Sequence, residues 1–336
     1  MPNMLFMASL LLALSAVPAL SQDGVWTIKK PLSAPRNEVA LAATGGKLYV
    51  VGGSVGGNAV PLVDEYDPPS DGWRGRAPMP KGLDHLGITV IGGKIITVGG
   101  FIGSVHRGAV SDVYEYNPAA DTWRTLAPMK NPRGSVAAAV LDGKLHAVGG
   151  RSVDNTFTVG THEVFDPATG QWIEGAPLPQ PRDHMALVAI DGKLHAVGGR
   201  ITNPASRVDA HDVYDPKTNS WSPGPPLPTA RSGLAYALYQ GMMVVLGGEL
   251  APNTFPNNEA YDSKSMRWRT LMAMPHGRHE CRCDRQEPLC GGGFAQARFG
   301  RGDRSVDRFH DALTARKGPA FPGLSGPIKV PLTTNL

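Results

Sequence analysis

RDHMALVAIDGKLHAVGGR, residues 182–200, followed after a variable stretch by HDVYDPKTNSW, residues 211–221, is the passage that decides the fold. Met185–Ile190 alternates as a strand, and Asp191-Gly192 is a tight hairpin turn in which Gly accepts φ > 0. A second strand over Lys193–Val197 runs into Gly198-Gly199. A third strand carries Val213-Tyr214, Asp215-Pro216 opens another turn, and the fourth strand holds Trp221. The unit is a four-stranded antiparallel sheet. Alone, such a sheet has two faces to bury and nothing to bury them against.

The unit repeats. Gly-Gly doublets stand at 52–53, 99–100, 149–150, 198–199 and 247–248, and Trp73, Trp123, Trp172, Trp221 and Trp268 keep the same rhythm. Trp26 precedes Trp73 by one further period, so every Trp in the chain belongs to the series. Four-stranded units of about 50 residues, each indole offering a large apolar surface to a neighbour, predict an all-β propeller. Counting from the residue ten after each Trp gives blades at 36–73, 83–123, 133–172, 182–221 and 231–268. A sixth would begin at Arg278, with the strand at 24–28 around Trp26 as its outermost member.

Gly-Gly, then an aromatic (Tyr66, Tyr116, Phe165, Tyr214 or Tyr261), then Trp is the pattern of the kelch repeat. Over residues 24 to 280 the chain resembles kelch propellers, including the central domain of galactose oxidase and six-bladed exported bacterial kelch proteins. That resemblance implies six blades of four antiparallel strands. The sixth departs from the pattern: residues 281–316 lack alternation, a Tyr and a Trp. Suitable codons for Cys281 to Leu313, read one base later, encode a Gly-Lys turn, a strand and a Gly-Gly doublet. The expectation is a frameshift near codon 280, with 281–336 an aberrant tail.

Residues 1–21 read as a secretory signal peptide, an apolar run from Met4 to Leu14 followed by Ala19-Leu20-Ser21 as a small-x-small cleavage site. The run is too short to span a membrane, and the expected location is periplasmic or secreted. Charge argues against nucleic acid. The net +4 comes from the segment after Met274, Pro275 and His276, with ten Lys or Arg against six Asp or Glu, while the preceding residues balance. All three cysteines (Cys281, Cys283, Cys290) lie in that tail; with His279 they match no strong zinc spacing. Arg301-Gly302-Asp303 there is set aside as accidental. No metal and no cofactor are expected, and the protein is expected to be a monomer.

Candidate site residues come from the repeat. Arg36, Arg133, Arg182, Arg231 and Arg278 occupy one position, broken in blade two by Leu83, and Arg151 and Arg200 follow their Gly-Gly doublets directly. The kelch resemblance implies that both sets lie around the mouth of the central channel. There, planar guanidinium forks would suit carboxylates, or else brace neighbouring blades. Asp84-His85 and Asp183-His184 hold equivalent places, making His85 and His184 candidates too. Adjacent strand residues face opposite sides, so the Asp is not expected to orient its His. Glu249, the single acidic residue after a doublet, is the candidate general base.

The functional expectation is an exported binding module for a protein or an anionic glycan. The alternative is a cofactor-free enzyme similar to the kelch sialic-acid mutarotases, with Arg holding the sugar carboxylate and Glu249 moving a proton. A copper radical oxidase resembling galactose oxidase needs a Cys crosslinked to a Tyr, and blades one to five hold no Cys.

Overall fold

A computed structural model describes residues 29–103, 106–152, 157–203, 205–250 and 253–274. The signal segment, Trp26 and its strand, Arg278, the cysteines and the tail tripeptide lie outside the described residues. So does the sixth blade.

Five four-stranded antiparallel sheets follow one another, each with its strands in simple meander order. Blade four has Ala186–Ile190, Lys193–Val197, His211–Asp215 and Ser220–Pro223, as the repeat predicts. No helix occurs among the described residues, and none is long and apolar enough to cross a membrane. The hairpin turns take φ > 0 at both central residues, as at Asp191 (50°) and Gly192 (72°), whose twist matches that of the flanking strands.

Apolar clusters fill the spaces between consecutive blades. Between blades three and four, Ala137, Ala139, Leu141 and Val148 meet Leu187, Leu194, Ala196 and Tyr214. The sheets hide their faces against each other, as the two-faced unit requires.

The Gly doublets are steric necessities. A Cβ on Gly99 would lie 2.3 Å from the Arg133 carbonyl oxygen of the next blade, and one on Gly100 would lie 2.8 Å from the Asp84 carbonyl oxygen of its own. Both have positive φ, 60° and 110°. The gained closeness lets Gly100 N–H donate to the Arg133 carbonyl at 3.1 Å, a backbone bond from blade to blade. Gly53, Gly150 and Gly199 do the same to Leu83, Arg182 and Arg231.

Candidate functional site

Two residues after each repeat Arg (or Leu83), the chain enters the left-handed region: Glu38 (φ 56°), His85 (50°), Ser135 (52°), His184 (55°) and Gly233 (58°). This turn aims the residue's N–H at the preceding blade. His85 N–H donates to the Glu38 carbonyl, Ser135 to His85 and Gly233 to His184, at 3.3, 2.8 and 3.0 Å. Of the residues that follow the doublets, Phe101 packs edge-on against His85 and Arg200 meets His184. Contact between His85 of blade two and His184 of blade four, 5.3 Å between ring centroids, places the cluster where non-adjacent blades converge.

The two Asp-His pairs correct the sequence reading. His85 Nδ1 lies 2.8 Å from Asp84 Oδ1, and His184 Nδ1 is bonded to Asp183 Oδ1. Strand alternation does not apply at these positions, because the positive φ of the His folds its side chain back toward its neighbour. Each Asp therefore does orient its His.

Arg200 is the hub. Its Nε donates to Asp183 Oδ1 at 3.1 Å and Nη1 to Glu249 Oε2 at 2.6 Å, while Nη2 lies 3.0 Å from His184 Nε2. A guanidinium only donates, so His184 Nε2 accepts and its proton sits on Nδ1, toward Asp183. Arg151 Nη1 approaches Asp183 Oδ2 at 3.7 Å. Burial raises the Asp183 pKa, opposed by Arg200 and Arg151. Glu249 stands against the cation the sequence expected, held by Arg200 from the adjacent blade.

His85 is also bonded at its other nitrogen, with Nε2 3.0 Å from Glu38 Oε2. Burial pushes Glu38 up to about 7. For His85, burial works downward, but Glu38 and Asp84 outweigh it and raise the imidazole to about 10. A buried imidazolium between two carboxylates is the result. His106, from the connection between the second and third strands of blade two, completes the group. Its ring centroid is 4.4 Å from that of His85 and 5.4 Å from that of His184. It is 9% exposed, its Nε2 has no hydrogen-bond partner, and burial holds its pKa far below the usual value.

The other arginines lie elsewhere. Arg36, Arg133, Arg182 and Arg231 are inside their own blades rather than between blades, and since they, Arg151 and Arg200 are all buried, none of these arginines forms a solvent-facing rim. Arg133 shows the arrangement: Nε donates to the Gly149 carbonyl at 3.0 Å, Nη2 to Ala147 at 3.1 Å, and Nη1 pairs with Glu163 at 2.8 Å. Asp64, Asp212 and Glu259 serve Arg36, Arg182 and Arg231 in turn. Each arginine ties its first strand's leading edge to the second and third strands. Leu83 and Tyr114, both in the core cluster between blades one and two, replace this ion pair in blade two.

Sequence reasoning missed Glu38 and Ser135, which aligning the repeats two residues past each Arg would have exposed. It also missed His106, for which the repeat offers no signal because that connection varies from blade to blade.

Comparison with known proteins agrees with this architecture. A family model described as "Kelch motif" matches residues 35–80, 84–130, 132–179 and 181–228. The chain belongs to the kelch-motif family. It is similar to the F-box protein AFR of Arabidopsis thaliana, with 34% identity over 26% of this chain and 24% of that protein. Kelch-like protein 4 of Homo sapiens is 36% identical over 20% of this chain and 9% of its own length. The chain thus matches a quarter or less of these relatives. A solved structure titled "Structure of YjhT" superposes with a TM-score of 0.62 at 18% identity, covering 75% of this chain and 88% of that one. At that identity the likeness is one of fold.

Proposed function

We propose that this propeller is a binding module that engages a protein on the face where second strands hand over to third strands. One observation carries the reading. Val55, Leu62, Ile102 and Phe157, four of the six exposed large hydrophobics among the described residues, all sit on those connections, with Phe157 65% exposed. Arg151, Arg200 and Glu249 open the same connections and are themselves buried. Apolar side chains held in water on one face match the make-up of an interaction surface. Loops on a rigid scaffold are the usual carriers of recognition. Kelch repeats commonly serve protein binding, which agrees with this face. Apolar tips favour a protein over a glycan.

The test is site-specific photo-crosslinking in the native extract, with the photoreactive residue at Phe157, at Ile102, or at Lys217 in a turn at the opposite end of blade four. Adducts of one discrete mass from the first two positions and none from Lys217 support the module. Equal labelling at Lys217, or no adduct anywhere, removes it.

A second reading, a cofactor-free sugar mutarotase, rests on the buried Glu249–Arg200–His184 chain. It requires that anomerically pure sialic acid equilibrate faster with the protein than in buffer, by NMR, and that Glu249→Gln abolish the acceleration.

A further inference from the structure

We infer that His85, His106 and His184 form a binding site for a divalent transition metal of the imidazole-preferring class, such as Zn²⁺ or Co²⁺. One ring nitrogen from each lies within 4.8 Å of those of the other two. Bonds of about 2.0–2.1 Å to a common metal place tetrahedral nitrogens roughly 3.3 Å apart, so the ring nitrogens must draw in by up to about 1.5 Å. His106 lies outside the sheet itself, in the connection where Gly103 N–H donates to the Arg107 carbonyl at 3.0 Å and Ile102 N–H to the Gly108 carbonyl at 3.2 Å.

Three further features point to a cation. The first is orientation. His85 and His184 each direct Nδ1 at an aspartate, Asp84 and Asp183, which leaves Nε2 on the side away from it. Carboxylate-backed imidazoles of this kind are the usual outer shell of a bound metal, fixing tautomer and ring plane. The second is His106 itself, nine-tenths buried, with an Nε2 that has no hydrogen-bond partner. A nitrogen lone pair at that depth is costly without an acid to meet it.

The third feature is charge. Glu38, Asp84, Asp183 and Glu249 bring four carboxylates to the cluster, and Arg151 and Arg200 bring two guanidiniums. With His85 protonated between Glu38 and Asp84, that leaves one negative charge, and a divalent ion bound at His85 Nε2 takes the place of that proton. Arg200 Nη2 must give up His184 Nε2, but Arg200 keeps Asp183 and Glu249 through its Nε and Nη1. Glu38, now against His85 Nε2, is within reach as a fourth ligand. Imidazole-rich sites of this type select Zn²⁺, Co²⁺, Ni²⁺ or Cu²⁺ over Mg²⁺ and Ca²⁺.

The experiment uses the full chain with Cys281, Cys283 and Cys290 changed to Ser, so that thiolates in the tail cannot account for uptake. After chelation and dialysis it is titrated with Co²⁺ and then with Zn²⁺ in competition. The expected result is one Co²⁺ per chain, visible d–d bands without thiolate charge-transfer, and displacement by Zn²⁺. His106→Ala and the more conservative His106→Gln should weaken binding by about 100-fold, while their metal-free melting temperatures match the parent's. Asp183→Asn, one step removed from the metal, should weaken it about 10-fold or more. No uptake at unit stoichiometry, or uptake indifferent to both His106 variants, overturns the inference.

Discussion

Trp123 Nε1 donates to the carbonyl of Ala77, in the segment that leaves the preceding blade, at 2.9 Å. The same Ala77 gives its N–H to Asp121 Oδ1 at 2.9 Å, and Tyr116 Oη donates to that carboxylate at 2.5 Å. One residue of the connection is thus gripped at both its N–H and its carbonyl by blade two. Lys30 is held in the same way by Trp73 and Asp71, and Ala176 by Trp221 and Asn219. The indole is retained for its N–H as well as its area. Trp123→Phe, which keeps an aromatic ring but leaves the Ala77 carbonyl without its donor, should lower stability by about 1 kcal/mol. Trp123→Ala should cost about 3 kcal/mol or more. Urea unfolding followed by far-ultraviolet circular dichroism reads both; a Trp123→Phe variant as stable as the parent would mean that the N–H contributes nothing.

Arg182 belongs to the interior of blade four, where its Nη1 meets Asp212 at 2.7 Å and its Nη2 donates to the Ala196 carbonyl at 3.0 Å. Arg182→Ala removes the partner of a carboxylate that is itself mostly covered, at a cost of about 3 kcal/mol. Its effect should fall on stability and not on ligand affinity. Blade two shows how the pair can be dispensed with, through Leu83 and Tyr114. The double change Arg182→Leu with Asp212→Tyr should therefore recover most of the loss. A double variant no more stable than Arg182→Ala would show that blade four needs the ions.

Two histidine pairs set an acid limit. His146 Nδ1 lies 2.8 Å from His162 Nε2, whose Nδ1 donates to the Ala176 carbonyl at 3.1 Å. His195, His211 and the Pro225 carbonyl repeat this in blade four. Burial lowers the pKa to about 3 for His146 and about 4 for His162 and His195, and lowers that of His211 as well. The unfolded chain takes up these protons first, near pH 6.5. Stability is therefore complete above that value and falls as pH drops toward 4, by about 1.4 kcal/mol per pH unit for each imidazole. Blade five builds the same place without histidine, using Val244 and Asn258, whose Nδ2 donates to the Met272 carbonyl at 2.7 Å. His195→Val with His211→Asn should flatten the decline in urea midpoint between pH 7 and 4.5. An unchanged slope would place the acid sensitivity elsewhere.

The blades were legible because their signals are local and periodic. Asp191-Gly192 can only turn, Gly99 and Gly100 have no room for a Cβ, and each Trp keeps its distance from the next. The site was legible only in part. Equivalent positions announced Arg151, Arg200, His85 and His184, but the repeat says nothing of partners. Arg36 and Arg200 look alike as sequence, yet one is clamped inside a blade and the other sits where blades converge. The Asp-His pairs were misjudged because a strand rule was applied where the backbone is left-handed, a conformation set by the neighbouring blade's carbonyl and invisible in a single repeat. His106 reaches the cluster through tertiary folding of a variable connection.

That left-handed ring supplies a further prediction. Ser135 holds φ at 52° so that its N–H can reach the His85 carbonyl at 2.8 Å, and blade five meets the same demand with Gly233. A non-glycine residue there carries about 1 kcal/mol of backbone strain, and a β-branched one more. Ser135→Gly relieves the strain but loosens the unfolded chain by a similar amount, so its stability should stay within about 0.5 kcal/mol of the parent's. Ser135→Val should cost about 2 kcal/mol or more, because its branched Cβ disfavours the conformation and it loses the hydroxyl 3.5 Å from His184 Nε2. Thermal melts of the two variants side by side read the difference. If valine were tolerated as well as glycine, the backbone bond from blade three to blade two could not be what holds this residue left-handed.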